Sequence, residues 1–214
     1  GYRLVGSEMC IRDRDNPQSK ALQHVFFAER QAAKVPGLSK DTPLQAIKKV
    51  GVIGAGTMGG GISMNFANVG IPVKILEMDQ AALDKGLGIV KKNYEASAWK
   101  GRISSEDVDA RMGLIEGTTD YSYLKDVDLV IEAVFENMDV KKEVFSKLNE
   151  TVSENTILAS NTSYLDIDEI ATVVDNPERV LGMHFFSPAN IMRLLEIIKA
   201  EKTSPAILAQ QYSN

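Results

Sequence analysis
The chain has 214 residues, 44% hydrophobic and 25% charged, with a formal net charge of -5. That is enough for one sizeable core plus an appendage, and the acidic balance argues against a general electrostatic hold on nucleic acid. One cysteine, Cys10, and two histidines, His24 and His184, exclude an internal disulfide and a cysteine or histidine metal cage, and no apolar run reaches the roughly 18 residues a membrane span needs.

The expectation is therefore a metal-free protein without nucleic-acid or membrane partners. With no signal-type segment in front and no peroxisomal tripeptide behind, the expected compartment is the cytoplasm.

Residues 1–16, GYRLVGSEMCIRDRDN, have no clear period and read as a non-native leader. From Pro17 the apolar residues Ala21, Leu22, Val25, Phe26 and Ala28 recur at helical spacing. VPGLSKDTP is turn-rich, so 17–46 is expected to be a linker helix and tether.

The stretch 47–214 then alternates between strand and helix patterns. KKVGVIGAG is a short apolar run, TMGGGISMNFANVG a helix stopped by Gly70, and PVKILE a second strand, which together make a βαβ unit. A long helical segment follows around DQAALDKGLGIVKKNYEASAWK, then a helix opened by Ser104 or Ser105, then a strand, DLVIEAVF. In MDVKKEVFSKLNETV, Val140, Val144, Phe145, Leu148 and Val152 mark one helix face, and TILAS, RVLGMHFF and RLLEIIK supply three further strands. Ser204 followed by Pro205 opens a last helix. The alternation predicts an α/β fold, a Rossmann-like, doubly wound, mostly parallel sheet.

Gly54, Gly56 and Gly59 fit GxGxxG at the first strand-to-helix turn, where missing side chains let the backbone approach a pyrophosphate. Glu77 ends the second strand, where a carboxylate accepts hydrogen bonds from an adenosine ribose and repels a 2′-phosphate, which favours NAD. Asp79 either shares that role or caps the next helix.

In a doubly wound sheet the ligand lies across the carboxyl ends of the strands, so Val134, Phe135, Glu136, Asn161 and Ser163 are expected at the reacting end. Oxidising an alcohol by hydride transfer needs a base near neutrality, and His184 is the candidate. Alternation places Leu194, Glu196 and Ile198 on one strand face, with the carboxylate among apolar side chains unless it meets a partner such as His184. A carboxylate on one ring nitrogen fixes the tautomer and leaves the other nitrogen for the substrate proton. The competing reading is a satisfied core histidine and a solvent-facing edge glutamate. Ser163 suits a substrate contact and equally a helix cap. Trp99, Tyr94, Tyr121 and Tyr123 read as packing or surface residues.

VGVIGAGTMGGGI, DLVIEAVFENMDVKKEVF, ASNTSYL and GMHFFSPANIMRLLEII, in this order and spacing, resemble the 3-hydroxyacyl-CoA dehydrogenases over about Lys48 to Ala206. The resemblance implies an NAD-dependent oxidation of 3-hydroxyacyl-CoA in β-oxidation, with His184 as base, Glu196 as its partner and Ser163 touching substrate or nicotinamide. It also implies Met58 and Glu77 on the adenosine and pyrophosphate side, and Val134, Phe135, Glu136, Lys141 and Asn161 near the nicotinamide ribose.

Many relatives carry Asn after His-Phe-Phe, where this chain has Ser187, shorter and without the amide donor for nicotinamide or substrate. HVFFAERQAAKVPG is similar to the connector of multifunctional fatty-acid oxidation enzymes. This implies a native fusion to an enoyl-CoA hydratase, with a thiolase subunit as a further partner. The family continues into a further strand and a helical domain, so the nucleotide fold is expected to be cut before that helical domain.

Overall fold
The computed structural model describes residue 14, residues 16–32 and residues 45–211. Most of the expected leader, with Cys10, and the tether at 33–44 lie outside them. The chain divides into two units, Gly1–Thr42 and Pro43–Asn214. In the first, helix α1 spans Pro17–Ala32 and buries none of its residues. Its apolar stripe stays in solvent, with Phe26 and Phe27 edge to face and Arg30 over the Phe26 ring.

The second unit is one seven-stranded sheet in the order β3-β2-β1-β4-β5-β6-β7. The strands are β1 Val50–Ile53, β2 Val73–Leu76, β3 Ile115–Thr118, β4 Leu129–Glu132, β5 Ile157–Ser160, β6 Val180–Phe185 and β7 Leu195–Ile198. The first six run parallel, and β7 returns antiparallel on β6. Strands β1, β4 and β5 are buried along their whole length, as central parallel strands covered by helices on both faces must be.

Helices α2 Thr57–Asn68, α3 Gln80–Trp99 and α4 Ser105–Met112 cover one face around Ile62, Leu83, Val90 and Tyr94. Helices α5 Met138–Thr151 and α6 Ile167–Ala171 cover the other around Phe145, Leu148 and Ile170. Helix α7 spans Pro205–Gln211.

The caps follow local chemistry. Ser104, not Ser105, caps α4 in a reciprocal box with Asp107. Asp79 caps α3 by accepting from the Ala82 amide at 2.7 Å. Gly70, at φ +81, follows the end of α2. At the amino ends of the strands Asp126 accepts from the ammonium groups of Lys49 and Lys74.

Two features depart from expectation. Strand β3 was not foreseen, because in IEGT only Ile115 and Thr118 are buried and the strand sits at a sheet edge. Val140, assigned to the buried face of α5, is 38% exposed, because it fronts the cleft beside β1 and β2. Tyr94 is buried, with its hydroxyl near Met64 O and Asn68 Oδ1, and Trp99 is exposed.

Candidate active site at the carboxyl edge of the sheet
Crossovers leave in opposite directions from β1 and β4, which makes their carboxyl ends the topological switch point. The three expected glycines sit there and act differently. Gly54 has φ +99, and a Cβ on it would stand 2.8 Å from Ala133 O. A Cβ on Gly59 would meet Gly54 O at 1.8 Å, so its absence lets α2 seat on the loop. A Cβ on Gly56 would meet nothing within 4 Å, leaving backbone bare toward the cleft. Gly56 also caps α2 without any side-chain bond, so the first-turn amides of that helix face the cleft without a capping side chain. A turn glycine, an approach glycine and a packing glycine at a bare helix N-terminus are the donor set a dinucleotide pyrophosphate requires, and the residues present fit it.

Two clefts flank this turn. One, of about 270 Å³, is lined by Ala55, Gly56, Thr57, Glu77, Lys85 and Ile89. The other, of about 200 Å³, is lined by Gly54, Glu77, Met78, Tyr121, Val134 and Lys147 among others. Glu77 belongs to both, and its carboxylate accepts from the amides of Ala55 (3.1 Å) and Met78 (2.9 Å). Asp79 is spent on its cap, so of the two acids it is Glu77 that faces the clefts. Met58 is half-buried against the core below the turn.

At the other end, a cleft of about 250 Å³ is lined by Thr162, Ser163, Tyr164, Leu165, Ile167, His184, Glu196 and Ile198. The antiparallel register sets His184 directly opposite Glu196. His184 Nδ1 lies 2.8 Å from Glu196 Oε2. A carboxylate oxygen accepts, so Nδ1 donates, and in the neutral ring this tautomer leaves the lone pair on Nε2. The Phe186 ring lies 4.6 Å from the imidazole.

The expected apolar setting of Glu196 is not found. Its side chain is 53% exposed, and Leu194 and Ile198 on the same face are exposed as well, because nothing among the described residues covers that face of an edge strand. Glu196 is thus both a solvent-facing edge residue and the partner of His184. Ser163 is exposed in the cleft wall and does not cap α6, whose cap is Asp166 accepting from the Asp168 amide at 2.9 Å.

Behind that wall lies a network that the sequence reading missed in part. Glu132, at the end of β4, and Lys141, on α5, are both fully buried and 2.7 Å apart. Glu132 also accepts from the Val134 amide at 2.8 Å and the Ser160 hydroxyl at 2.7 Å. Lys141 Nζ lies 3.1 Å from Glu136 Oε2. Glu136 in turn accepts from the Thr162 hydroxyl and from the Ser163 amide at 2.8 Å. Partial burial pushes the Glu136 carboxyl up, and the bonds from Thr162, Ser163 and Lys141 outweigh this, holding it below its ordinary value.

Lys141 is therefore turned inward, onto two carboxylates. A glutamate inside the apolar run DLVIEAV was the signal for Glu132, since such an acid must find a cation.

The remaining expected residues are scattered along the same edge. Val134 lines the β1–β2 cleft, and Phe135 is 78% exposed beyond it. Asn161 Oδ1 accepts from the Phe185 amide at 2.9 Å, tying β5 to β6 and leaving its amide nitrogen for a ligand. Ser187 is exposed in the loop after β6. That loop is anchored on α2 by Asn65 donating to Ala189 O at 2.9 Å and by Ala189 packing over Gly61. Among the described residues no group of three or more His, Cys, Asp or Glu could hold a metal, and no helix is long and apolar enough to cross a membrane.

Comparison with known proteins points the same way. The profile of the 3-hydroxyacyl-CoA dehydrogenase NAD binding domain matches residues 49–213. The chain is 41% identical over 191 residues to the peroxisomal fatty acid β-oxidation multifunctional protein MFP2 of Arabidopsis thaliana, covering 89% of this chain and 26% of that protein. It is 42% identical over 207 residues to the peroxisomal bifunctional enzyme of Cavia porcellus, covering 94% and 28%. The crystal structure of (S)-3-hydroxybutyryl-CoA dehydrogenase from Ralstonia eutropha superposes with a TM-score of 0.73 at 39% identity, over 74% of this chain and 56% of that one. The chain thus spans about a quarter of the length of the curated relatives it matches.

These findings overturn the cytoplasmic expectation, because the matched curated relatives are named peroxisomal or glyoxysomal. The lack of a targeting tripeptide in a stretch that covers about a quarter of a relative carries no information on compartment.

Proposed function
Since the chain belongs to the 3-hydroxyacyl-CoA dehydrogenase NAD-binding family, with NAD as its cofactor, we propose that it is the half of an L-3-hydroxyacyl-CoA dehydrogenase that holds NAD and supplies the proton-transfer groups. The observation that carries this reading is His184 Nδ1 bonded to Glu196 across the strand pair, with Nε2 left as an acceptor at a cleft walled by Ser163.

The bare amides at the start of α2 and the open backbone at Gly56 would hold the pyrophosphate, and Glu77 would accept from the adenosine ribose and disfavour a 2′-phosphate there. Val134, Phe135, Asn161 and Ser187 border the path toward the nicotinamide end. NAD, when bound, supplies the acceptor for the hydride leaving C3 of the substrate.

His184 Nε2 takes the proton of the 3-hydroxyl as the ketone forms, and Glu196 stabilises the resulting imidazolium while holding the ring in place. The Ser163 hydroxyl bonds the substrate oxygen and fixes its distance from the imidazole. In the reverse direction the imidazolium returns its proton to the ketone oxygen. The names of the relatives, a multifunctional protein of fatty-acid β-oxidation and a bifunctional enzyme, support a place in fatty-acid β-oxidation and a fusion to further domains. The acyl-CoA substrate, the enoyl-CoA hydratase and helical domains and the thiolase partner follow from the resemblance of the motifs.

The test is acetoacetyl-CoA reduction by NADH in a full-length version. His184→Gln is expected to lose about 10²- to 10⁴-fold in kcat, and Glu196→Gln less, with NADH affinity unchanged in both. Activity persisting in both variants sinks the dyad.

A second reading, a cofactor-binding module without turnover, is favoured by the exposure of Glu196 and Ile198, which leaves the His184 cleft open on one side. Titrating this chain with NADH, then adding acetoacetyl-CoA, separates the two. Binding with oxidation supports the enzyme, and binding without oxidation the module.

A further inference from the structure
The network behind the cleft wall contains two carboxylates and one ammonium in closed contact, Glu132–Lys141–Glu136. A buried ion pair contributes little net stability compared with apolar packing of the same volume, so stability alone does not account for it. Its position suggests one. Glu132 and Glu136 stand at and just beyond the end of β4, and Glu136 is bonded to Thr162 and Ser163, which wall the cleft of His184.

Resting on the cofactor reading above, the reacting carbon must lie within reach of both His184 and the nicotinamide, so a bound nicotinamide ring would sit beside this wall. That ring is cationic in NAD⁺ and neutral in NADH. Among the described residues the Glu132 carboxylate accepts from Lys141 Nζ, the Val134 amide and the Ser160 hydroxyl, and the same ammonium also reaches Glu136, so two carboxylates share one cation and the less buried of them, Glu136, stands on the side nearer the cleft. An uncompensated charge in a partly dry site acts on a neighbouring cation with little screening.

We propose that Glu132, Lys141 and Glu136 form a net-anionic brace that tunes the site toward the oxidised cofactor, with Glu132 as a positioning residue that anchors Lys141 and, through it, Glu136. Glu136 supplies the field at the nicotinamide end. Glu132 fixes where that field stands, because without it the Lys141 ammonium neutralises Glu136 alone and the surplus charge disappears.

The experiment compares dissociation constants of NAD⁺ and NADH for this chain and three variants, by NADH fluorescence and its competition by NAD⁺. Glu136→Gln is expected to weaken NAD⁺ relative to NADH by roughly fivefold to tenfold, the size of one unit charge acting across a partly solvated site. Glu132→Gln is expected to move the ratio the same way. Ser160→Ala, which removes a bond to Glu132 but no charge, is expected to leave the ratio unchanged, whatever it does to overall affinity. If Glu132→Gln does not fold, the partly exposed Glu136 still decides the matter. A ratio unchanged in Glu136→Gln overturns the inference even if both affinities fall together, since a merely structural role lowers both alike. Failure of the unsubstituted chain to bind NADH overturns the cofactor reading and this inference with it, whereas binding with an unchanged ratio overturns this inference alone.

Discussion
Gly59 and Gly56 lie three residues apart in one turn, and the structure assigns them opposite sensitivities to the same added methyl. A Cβ on Gly59 falls 1.8 Å from Gly54 O and 2.9 Å from its carbonyl carbon, both backbone atoms of the loop after β1, where the Gly54 amide is bonded to Leu76 O and Ala133 lies alongside. To reach ordinary contact near 3.5 Å, helix α2 must retreat by about 1.7 Å. That movement unseats Ile62 and Met64, both buried in the core, and exposes the Gly61 contact with the Ala189 loop.

Overpacking against rigid atoms places Gly59→Ala at about 3 kcal/mol, a fall of roughly 1.5 M in the urea midpoint for a slope near 2 kcal/mol/M. Gly56, at φ -72 and ψ -170 with nothing near its would-be Cβ, accepts alanine without strain. Gly56→Ala is expected to unfold within about 0.5 kcal/mol of the unsubstituted chain and to lose about tenfold or more in NADH affinity. The two assays are urea unfolding followed by fluorescence and NADH titration. An unchanged midpoint for Gly59→Ala, or an unchanged NADH affinity for Gly56→Ala, refutes the assignment of packing to one glycine and approach to the other.

Three more outcomes are expected. Lys141→Met strands the Glu132 carboxylate in a dry interior and is expected to cost about 3–5 kcal/mol in urea unfolding, and a stability close to that of the unsubstituted chain contradicts the buried pair. Asp79→Ala removes the cap of α3 at about 1 kcal/mol while leaving NADH affinity alone, so a matching loss of affinity restores the ribose role to Asp79. Bonds from Lys49 and Lys74 lower the Asp126 carboxyl from 3.8 to about 2. A depressed carboxylate contributes stability above its unfolded value and loses it as pH falls through the folded one. The stability gap between this chain and Asp126→Asn is therefore expected to be constant above about pH 5 and to close between 3.8 and about 2. Because nearly half of that side chain is in water the gap is small, and one that widens on acidification contradicts the sign.

The parts of the fold that obey strong local rules were legible in the chain. VGVIGAG announces a buried strand running into a glycine turn, and α5 announces itself by Val144, Phe145 and Leu148 at helical spacing. Strand β3 was silent because an edge strand with an exposed Glu116 and a glycine carries no apolar run. The contact of His184 with Glu196 could be suspected from alternation, yet the degree of exposure could not. Exposure depends on what stacks above β7, a tertiary fact with no local signature. Asp79 and Ser163 illustrate the reverse. Each had two chemically reasonable roles, and only the position of the helix ends, at Asp79 and Asp166, decided which of them caps. Glu132 went unread although a single acid in an apolar strand is recognisable as unusual, because its partner arrives nine residues later on a helix.

The facing register of β6 and β7 carries an implication for tolerance to insertion. Side chains alternate along β7, so slipping that strand by one residue brings Leu195 or Ile197 opposite His184 and turns the carboxylate to the other side of the sheet. A two-residue slip restores the side but puts Leu194 or Ile198 in its place. The loop from Phe186 to Leu194 can therefore lengthen or shorten freely only if the pairs Gly182 with Ile198 and Phe185 with Leu195 still close the ladder. Chains that vary in that loop are expected to keep the histidine paired or lose it outright, with no graded intermediate.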